Sequence, residues 1–200
     1  MVNLMSALEV ATATHPGMVR SHNEDSIAAD AGVGLAVLAD GMGGYNAGEV
    51  ASGIAVELIR TELKKALEDK DPAELNGNGA EVLIAEHAVR ANSAIYQAAQ
   101  SQPQYSGMGT TLVVAMWHDN RISVGHIGDS RLYRLRGQTF EQVTRDHSLL
   151  QEQIDSGMIT KEQARHSQNK NLVTRAVGID PQVEAEIGRA SCRERVYVLV

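Results

Sequence analysis

Leu35-Ala36-Val37-Leu38-Ala39-Asp40-Gly41-Met42-Gly43-Gly44 is the stretch from which the rest of the chain can be read. Its apolar residues form a short uninterrupted run, which predicts a strand buried on both faces. Asp40 follows at the tip of that strand. A carboxylate there is poorly solvated and stays ionised only beside a cation or under donors aimed at it. The glycines let backbone amides and carbonyls approach the same point. A phosphate loop does not fit, because no Gly-Lys-Ser/Thr follows. A dinucleotide fingerprint fails too, since Asn46 stands at the third glycine position. Two readings remain: a glycine-rich strand-to-helix turn capped by Asp40, or Asp40 as a metal ligand.

Working outward, Leu8 to Thr14 alternates apolar and small polar residues and predicts an opening strand. Ser26 to Ala31 and Leu35 to Ala39, separated by Gly32-Val33-Gly34, predict a hairpin. A helix is predicted from about Ala47 to Leu67, with Val50, Ala51, Ile54, Ala55, Leu58, Ile59, Leu63 and Ala66 at helical spacing. Asp71-Pro72 and Asn76-Gly77-Asn78-Gly79 mark a polar loop. A second helix follows from about Ala80 to Gln100. Strands are predicted at Thr110 to Trp117, Arg121 to Ile127 and Ser130 to Leu135, with a turn at His118-Asp119-Asn120. The polar stretch from Asp146 to Gly178 reads as a helical flap or small subdomain. Strands, two helices, then strands again, without βαβ alternation, favour α+β with mostly antiparallel sheet and helices outside.

Composition bounds the function. The 200 residues suit one domain, which at this size buries roughly 70% of its unfolded surface without a disulfide. Aromatics are only 4%, so the core must be built from Ala, Val, Ile and Leu. A net charge of −7 argues against a general nucleic-acid binder, which needs a basic face. The single cysteine, Cys192, permits no internal disulfide and favours a reducing compartment. No apolar run reaches the roughly 18 residues of a membrane span, and the first residues lack the pattern of a secretory signal. The chain is read as a soluble, cytoplasmic monomer.

Three further motifs accompany Asp40. Arg20-Ser21-His22-Asn23-Glu24-Asp25 offers a planar guanidinium suited to phosphate and two adjacent carboxylates, which on a strand point to opposite faces. Gly107-Met108-Gly109-Thr110-Thr111 reads as a strand start, with a threonine hydroxyl able to support a carboxylate. Gly125-His126-Ile127-Gly128-Asp129-Ser130-Arg131 holds a tight turn in which Asp129 is either a turn residue or an oxygen ligand. Two like charges about 4 Å apart repel by about 4 kcal/mol at an effective dielectric of 20. Convergence of Glu24, Asp40 and Asp129 is therefore costly without a counter-ion and favourable with hard divalent cations. All-oxygen ligands select Mg²⁺ or Mn²⁺ over Zn²⁺. The seven histidines are scattered, show no pair at metal-ligand spacing, and read as surface, turn or packing residues.

The ordered set R-S-H-N-E-D, D-G-M-G-G, G-M-G-T-T and G-D-S-R resembles the metal-dependent protein phosphatases, the type 2C serine/threonine class, in their bacterial branch. The resemblance spans roughly Ala11 to Glu184 and includes Asn171-Leu172-Val173-Thr174-Arg175-Ala176-Val177-Gly178. It implies a four-layer α-β-β-α sandwich and hydrolysis of phosphoserine and phosphothreonine by a metal-activated water. It implies two or three Mn²⁺ or Mg²⁺ ions, held through Asp40, the Gly41 carbonyl, Glu24 and, for a weaker ion, Asp129. Asp25 would orient the water and Arg20 would hold the phosphate of a phosphoprotein, itself the product of a serine/threonine kinase. Many eukaryotic relatives carry a His where Met42 stands, and Met42 has no proton to donate.

The chain also departs from that pattern. The family carries two more acidic ligands, in a late Asp-Gly and an Asp-Asn, which these residues do not include. The domain is accordingly read as residues 1–185 with a flap at about 146–178, truncated at the C-terminus. Residues 186–200 read as a non-native or atypical segment. Glu186 to Val196 packs three arginines and Cys192 together, and resembles a translated sequencing-adapter read. The missing ligands motivate an alternative, a catalytically impaired phosphatase-like binding or regulatory module. A cysteine-based phosphatase fails on spacing: Val198 stands six residues after Cys192, where an arginine is required.

Overall fold

The computed structural model describes residues 8–44, 47–69, 75, 78–118, 120–169, 172–191 and 196–199, with side chains described as far as residue 189. The loop markers Asp71-Pro72 and Asn76-Gly77, and Cys192, lie outside the described residues.

The predicted hairpin forms, with β1 at Asp25–Asp30 and β2 at Leu35–Met42 paired antiparallel. Helices α1 (Ala47–Asp69) and α2 (Gly79–Ser101) follow. A short 3₁₀ turn leads into β3 (Gly109–Thr110), β4 (Leu112–His118), β5 (Arg121–Ile127), β6 (Arg131–Arg136) and β7 (Thr139–Gln142). Two short helices, α3 (Leu149–Asp155) and α4 (Lys161–Arg165), precede β8 (Glu186–Ser191) and β9 (Val196–Leu199). One sheet runs β1-β2-β4-β5-β8 with β3 on β2, and the other runs β7-β6-β9. Every pairing is antiparallel.

The layering follows from the two-residue period of β4 and β5. Leu112, Val114 and Met116 point to the helices, where they meet Ala51, Ala55, Ile59, Ile84, Ala88 and Ile95. Val113, Ala115, Ile122 and Val124 point the other way, to Leu132 of β6 and Val143. Among the described residues this makes three layers: a helix pair, a large sheet and a small sheet. The expected α+β architecture with antiparallel sheets is what is observed. Alanine supplies much of the buried helix surface, so helix and sheet backbones come close without aromatic filling.

Besides β8, which pairs with β5 in a segment read as atypical, three elements differ from expectation. Residues 8–14 form no strand, and residues 9–22 are exposed. Small residues such as Ala11 and Ala13 bury too little apolar area to hold a strand that no described neighbour pairs with. Among the described residues, 146–178 is less helical than predicted, containing only α3 and α4 between turns. β7 was not expected, because Thr139-Phe140-Glu141-Gln142 is a short polar edge held by β6.

The 146–178 excursion is tied back at both roots. At its start, Ser148 bridges to Val173. At its end, Val177 exchanges two backbone hydrogen bonds with Thr110, at 3.0 and 2.8 Å. Asn92 of α2, 1% exposed, then accepts from the Gly178 amide at 2.7 Å and donates to the Asp180 carbonyl at 2.9 Å. Asn92→Ala is expected to cost about 2–3 kcal/mol, because it strands a buried amide and a carbonyl. Urea unfolding checks this, and a loss under about 1 kcal/mol contradicts it.

Candidate metal centre

Asp40 occupies the end of β2 as anticipated. Its main chain is held by two threonines of the next motif. Its amide donates to Thr111 Oγ1 at 2.9 Å, while its carbonyl accepts from the Thr111 amide and the Thr110 hydroxyl, each at 2.9 Å. The threonine hydroxyls thus grip the backbone of Asp40, rather than its carboxylate as expected. Thr111 Oγ1 also meets Ser130 Oγ at 2.6 Å, which links the Asp40 strand to the Gly128–Arg131 turn.

Asp25 and Asp129 act on Asp40, while Glu24 adjoins Gly41 through its main chain. In the β1–β2 ladder Asp25 lies directly opposite Asp40, and their carboxyl groups are within hydrogen-bond reach. Glu24 is secured through its own carbonyl, which accepts from the Gly41 amide at 3.0 Å and from Ser52 Oγ at 2.6 Å. Its side chain turns towards the first turn of α1, with Oε1 against Gly48. Arg20 stands at the rim, 65% exposed, and donates to Glu24 Oε2 at 2.7 Å. So exposed a pair contributes only about 0–1 kcal/mol, which leaves the guanidinium free to exchange partners at little cost. Asp129 sits in the β5–β6 turn, half-buried, and its charge acts on Asp40.

The electrostatics follow from this crowding of carboxylates. Burial, then the charge and hydrogen bond of Asp25, then the charge of Asp129, push the Asp40 carboxyl up to about 6, with Arg20 opposing them. Burial likewise raises Asp129, assisted by Asp146, while its own backbone hydrogen bond and Arg131 work against it. The carboxylates of Asp25 and Asp129 act on Asp40 with more negative than positive charge around it, a repulsion that a hard divalent cation would relieve. Asp40, Glu24, the Gly41 carbonyl and Asp129 fit such ions by donor type.

Sequence spacing did not reveal the histidines' arrangement. His126 and His147 stack with ring centroids 4.6 Å apart, and Glu186 joins them with ligand-capable atoms all within 4.8 Å. Asp146 was missed as well. It clamps Arg131 through Nε at 2.9 Å and Nη2 at 2.5 Å, and accepts from Gln142. Single polar residues of this kind carry no periodic signal; their role exists only once the chain is folded.

A helix pair packs on one of two antiparallel sheets, and carboxylates at a glycine-bounded strand end offer oxygen donors of the kind a hard divalent cation takes. The family model of protein phosphatase 2C matches residues 18–177, and the chain belongs to that family, the metal-dependent serine/threonine protein phosphatases. It is 36% identical over 180 residues to the serine/threonine phosphatase stp of Listeria welshimeri, covering 86% of this chain and 68% of that one. It is 37% identical over 198 residues to the serine/threonine protein phosphatase PstP of Mycobacterium tuberculosis, covering 96% of this chain and 36% of that one. The crystal structure of Mycobacterium tuberculosis PstP matches with a TM-score of 0.77 at 37% identity, over 88% of this chain and 70% of that one. The catalytic domain of PstP in complex with two manganese ions matches with a TM-score of 0.73 at 36% identity, over 90% and 70%. No helix among the described residues is long and apolar enough to cross a membrane.

Proposed function

We propose that this chain hydrolyses phosphoserine and phosphothreonine esters of proteins at the Asp40 site, using Mn²⁺ or Mg²⁺. The observation that carries the reading is the placement of the half-buried Asp40 directly opposite Asp25 in the β1–β2 ladder and under the charge of Asp129. Such an arrangement is unfavourable for a fold alone and suited to holding cations. Asp40, Glu24 and the Gly41 carbonyl hold the principal ions, and Asp129 contributes to a weaker one. When bound, these cations supply Lewis acidity towards water and towards the phosphate oxygens. Asp25, paired across the ladder with Asp40, accepts a hydrogen bond from the attacking water and orients it. Arg20 leaves Glu24 to neutralise the equatorial phosphate oxygens. The bond from phosphorus to water forms as the bond to the serine or threonine oxygen breaks. Met42, at the end of β2, has no proton to give the leaving group, which takes one from water.

Phosphoproteins made by a serine/threonine kinase, in the cytoplasm, are the substrates this chemistry fits. We keep residues 1–185 as the phosphatase domain and 186–200 as an atypical segment whose origin re-sequencing of the gene decides. β8 and β9 lie in that segment and engage β5 and β6 through backbone ladders.

The purified chain is expected to release phosphate from a phosphothreonine peptide in Mn²⁺, to stop in excess chelator and to resume when Mn²⁺ is restored. Turnover that persists in chelator contradicts the proposal. Tight Mn²⁺ binding without turnover supports instead a phosphatase-like binding module.

A further inference from the structure

The Gly128–Arg131 turn and the adjoining Leu132 are held by one segment, through Thr144, Asp146 and His147. Leu132 N donates to Thr144 Oγ1 at 3.0 Å, and Asp146 clamps Arg131. The Gly128 amide donates to His147 Nδ1 at 3.1 Å, while the His147 amide donates back to the Gly128 carbonyl at 2.9 Å. Both hydrogen-bonding groups of Gly128 therefore go to one residue. Gly128 has φ +102°, and a Cβ there would lie 2.7 Å from the Thr111 side chain. The turn is thus pressed against the threonine that grips Asp40, and the Gly128 peptide sets where the next residue, Asp129, points.

His147 is itself fixed. It is buried and stacked on His126, whose Nε2 donates to the Arg145 carbonyl at 2.7 Å. The two imidazoles with Glu186 have the composition of a transition-metal site, but the hydrogen bonds oppose that use. Because Nδ1 accepts from the Gly128 amide, Nε2 carries the proton, and it faces Glu186 Oε2 at 3.2 Å as a donor. Burial, the largest influence on this ring, holds His147 below the usual imidazole range and so favours its neutral form.

We propose that His147 is a positioning residue for Asp129: its Nδ1 lone pair fixes the Gly128 peptide, and with it the affinity for the cation that Asp129 helps to hold. This rests on the reading of Asp129 as a ligand. His147→Asn keeps an acceptor close to the place of Nδ1, whereas His147→Ala removes it. In the metal-free protein, His147→Ala is expected to lose hydrogen-exchange protection at the Gly128 amide. In calorimetric Mn²⁺ titration, its weakest binding event should weaken about ten- to hundred-fold, the usual effect of losing a ligand's supporting partner. His147→Asn should restore most of both. Asp129→Asn should weaken the same event, and adding His147→Ala to it should produce little further loss.

Equal behaviour of the Asn and Ala variants overturns the proposal. So does unchanged Mn²⁺ binding in His147→Ala while Asp129→Asn weakens it, which leaves the ligand reading standing. If Asp129→Asn changes nothing, the ligand reading falls and the proposal with it. Should His147→Ala not fold, long-range nitrogen-15 correlation in the wild-type protein still decides. An unprotonated Nδ1 at His147 is expected, and a protonated one refutes the proposed hydrogen bond.

Discussion

Asp40→Asn is expected to lower Mn²⁺-dependent turnover by at least about 10³-fold, equivalent to the several kcal/mol of transition-state stabilisation that a correctly held cation supplies. The same substitution is expected to stabilise the metal-free fold at neutral pH. Both outcomes have one cause. Asp40 keeps its charge in a half-buried place, opposite Asp25 and near Asp129, and Arg20 is the cation that opposes them. An amide has nearly the same shape and no charge, so it removes the repulsion and the ligand together. Site residues that cost stability in the absence of their ligand are the ordinary form of the trade-off between stability and activity.

The pH dependence fixes the sign. The folded-state pKa of Asp40 is raised, from 3.8 to about 6. Between those values the unfolded chain has released the proton that the folded chain retains. Stability from this group is therefore fully present below about pH 4, falls as pH rises through the window, and is lost above about 6. The site is partly exposed, so solvent screening reduces the penalty to about 1–2 kcal/mol. In chelator, urea unfolding at pH 7.5 should show Asp40→Asn more stable than wild type by about that amount, with the difference gone near pH 4. Carboxylates shifted downward, such as Asp30 beside Lys64 and Asp155 beside Arg145, contribute the opposite slope at low pH. They are present in both proteins and cancel in the comparison. A difference independent of pH would mean that Asp40 is not under this electrostatic load.

Much of this was legible in the sequence because it depends on local pattern. The apolar run ending in Asp40 became β2, and the helical spacing of Ala51, Ala55, Ile59 and Leu63 became the buried face of α1. The acidic motifs converged because antiparallel pairing sets Asp25 opposite Asp40 and the β5–β6 turn returns Asp129 to the same end. What could not be read is what tertiary contact decides. Alternation in residues 8–14 predicts a strand, but alternation supplies no partner. Asn92 could have been noticed, since a polar residue between Ala88 and Ile95 interrupts the apolar stripe of α2. His147 could not, because its contacts to Gly128, His126 and Glu186 exist only in the folded chain, the first across 19 residues and the last across 39. The pairing of Glu24 with Arg20 engages two expected site residues with each other, which no spacing in the sequence foretells.

Gly41→Ala is expected to have the second-largest effect, and for a steric reason alone. A Cβ on Gly41 would lie 2.0 Å from the Gly48 carbonyl oxygen, 2.4 Å from its carbon and 2.6 Å from the Glu24 carbonyl oxygen. All three are backbone atoms, so no side-chain rotation relieves the collision. The first turn of α1 must move by roughly 1 Å or more, and Glu24, whose carboxylate rests on Gly48, moves with it. Overpacking typically costs about 1–3 kcal/mol, and backbone against backbone belongs at or above the top of that range. A displacement of about 1 Å at a reacting centre can cost about 10²-fold in rate even where the protein remains folded. Gly53 of the same helix is the matched control, because a Cβ there meets nothing within 4 Å. Gly53→Ala should stabilise the protein by about 0.5–1 kcal/mol through the ordinary helical preference for alanine, with turnover unchanged. Parallel urea melts and Mn²⁺-dependent assays on the two variants make the comparison. If Gly41→Ala proved as benign as Gly53→Ala, the close contact between the end of β2 and the start of α1 could not be what holds Glu24 beside Asp40.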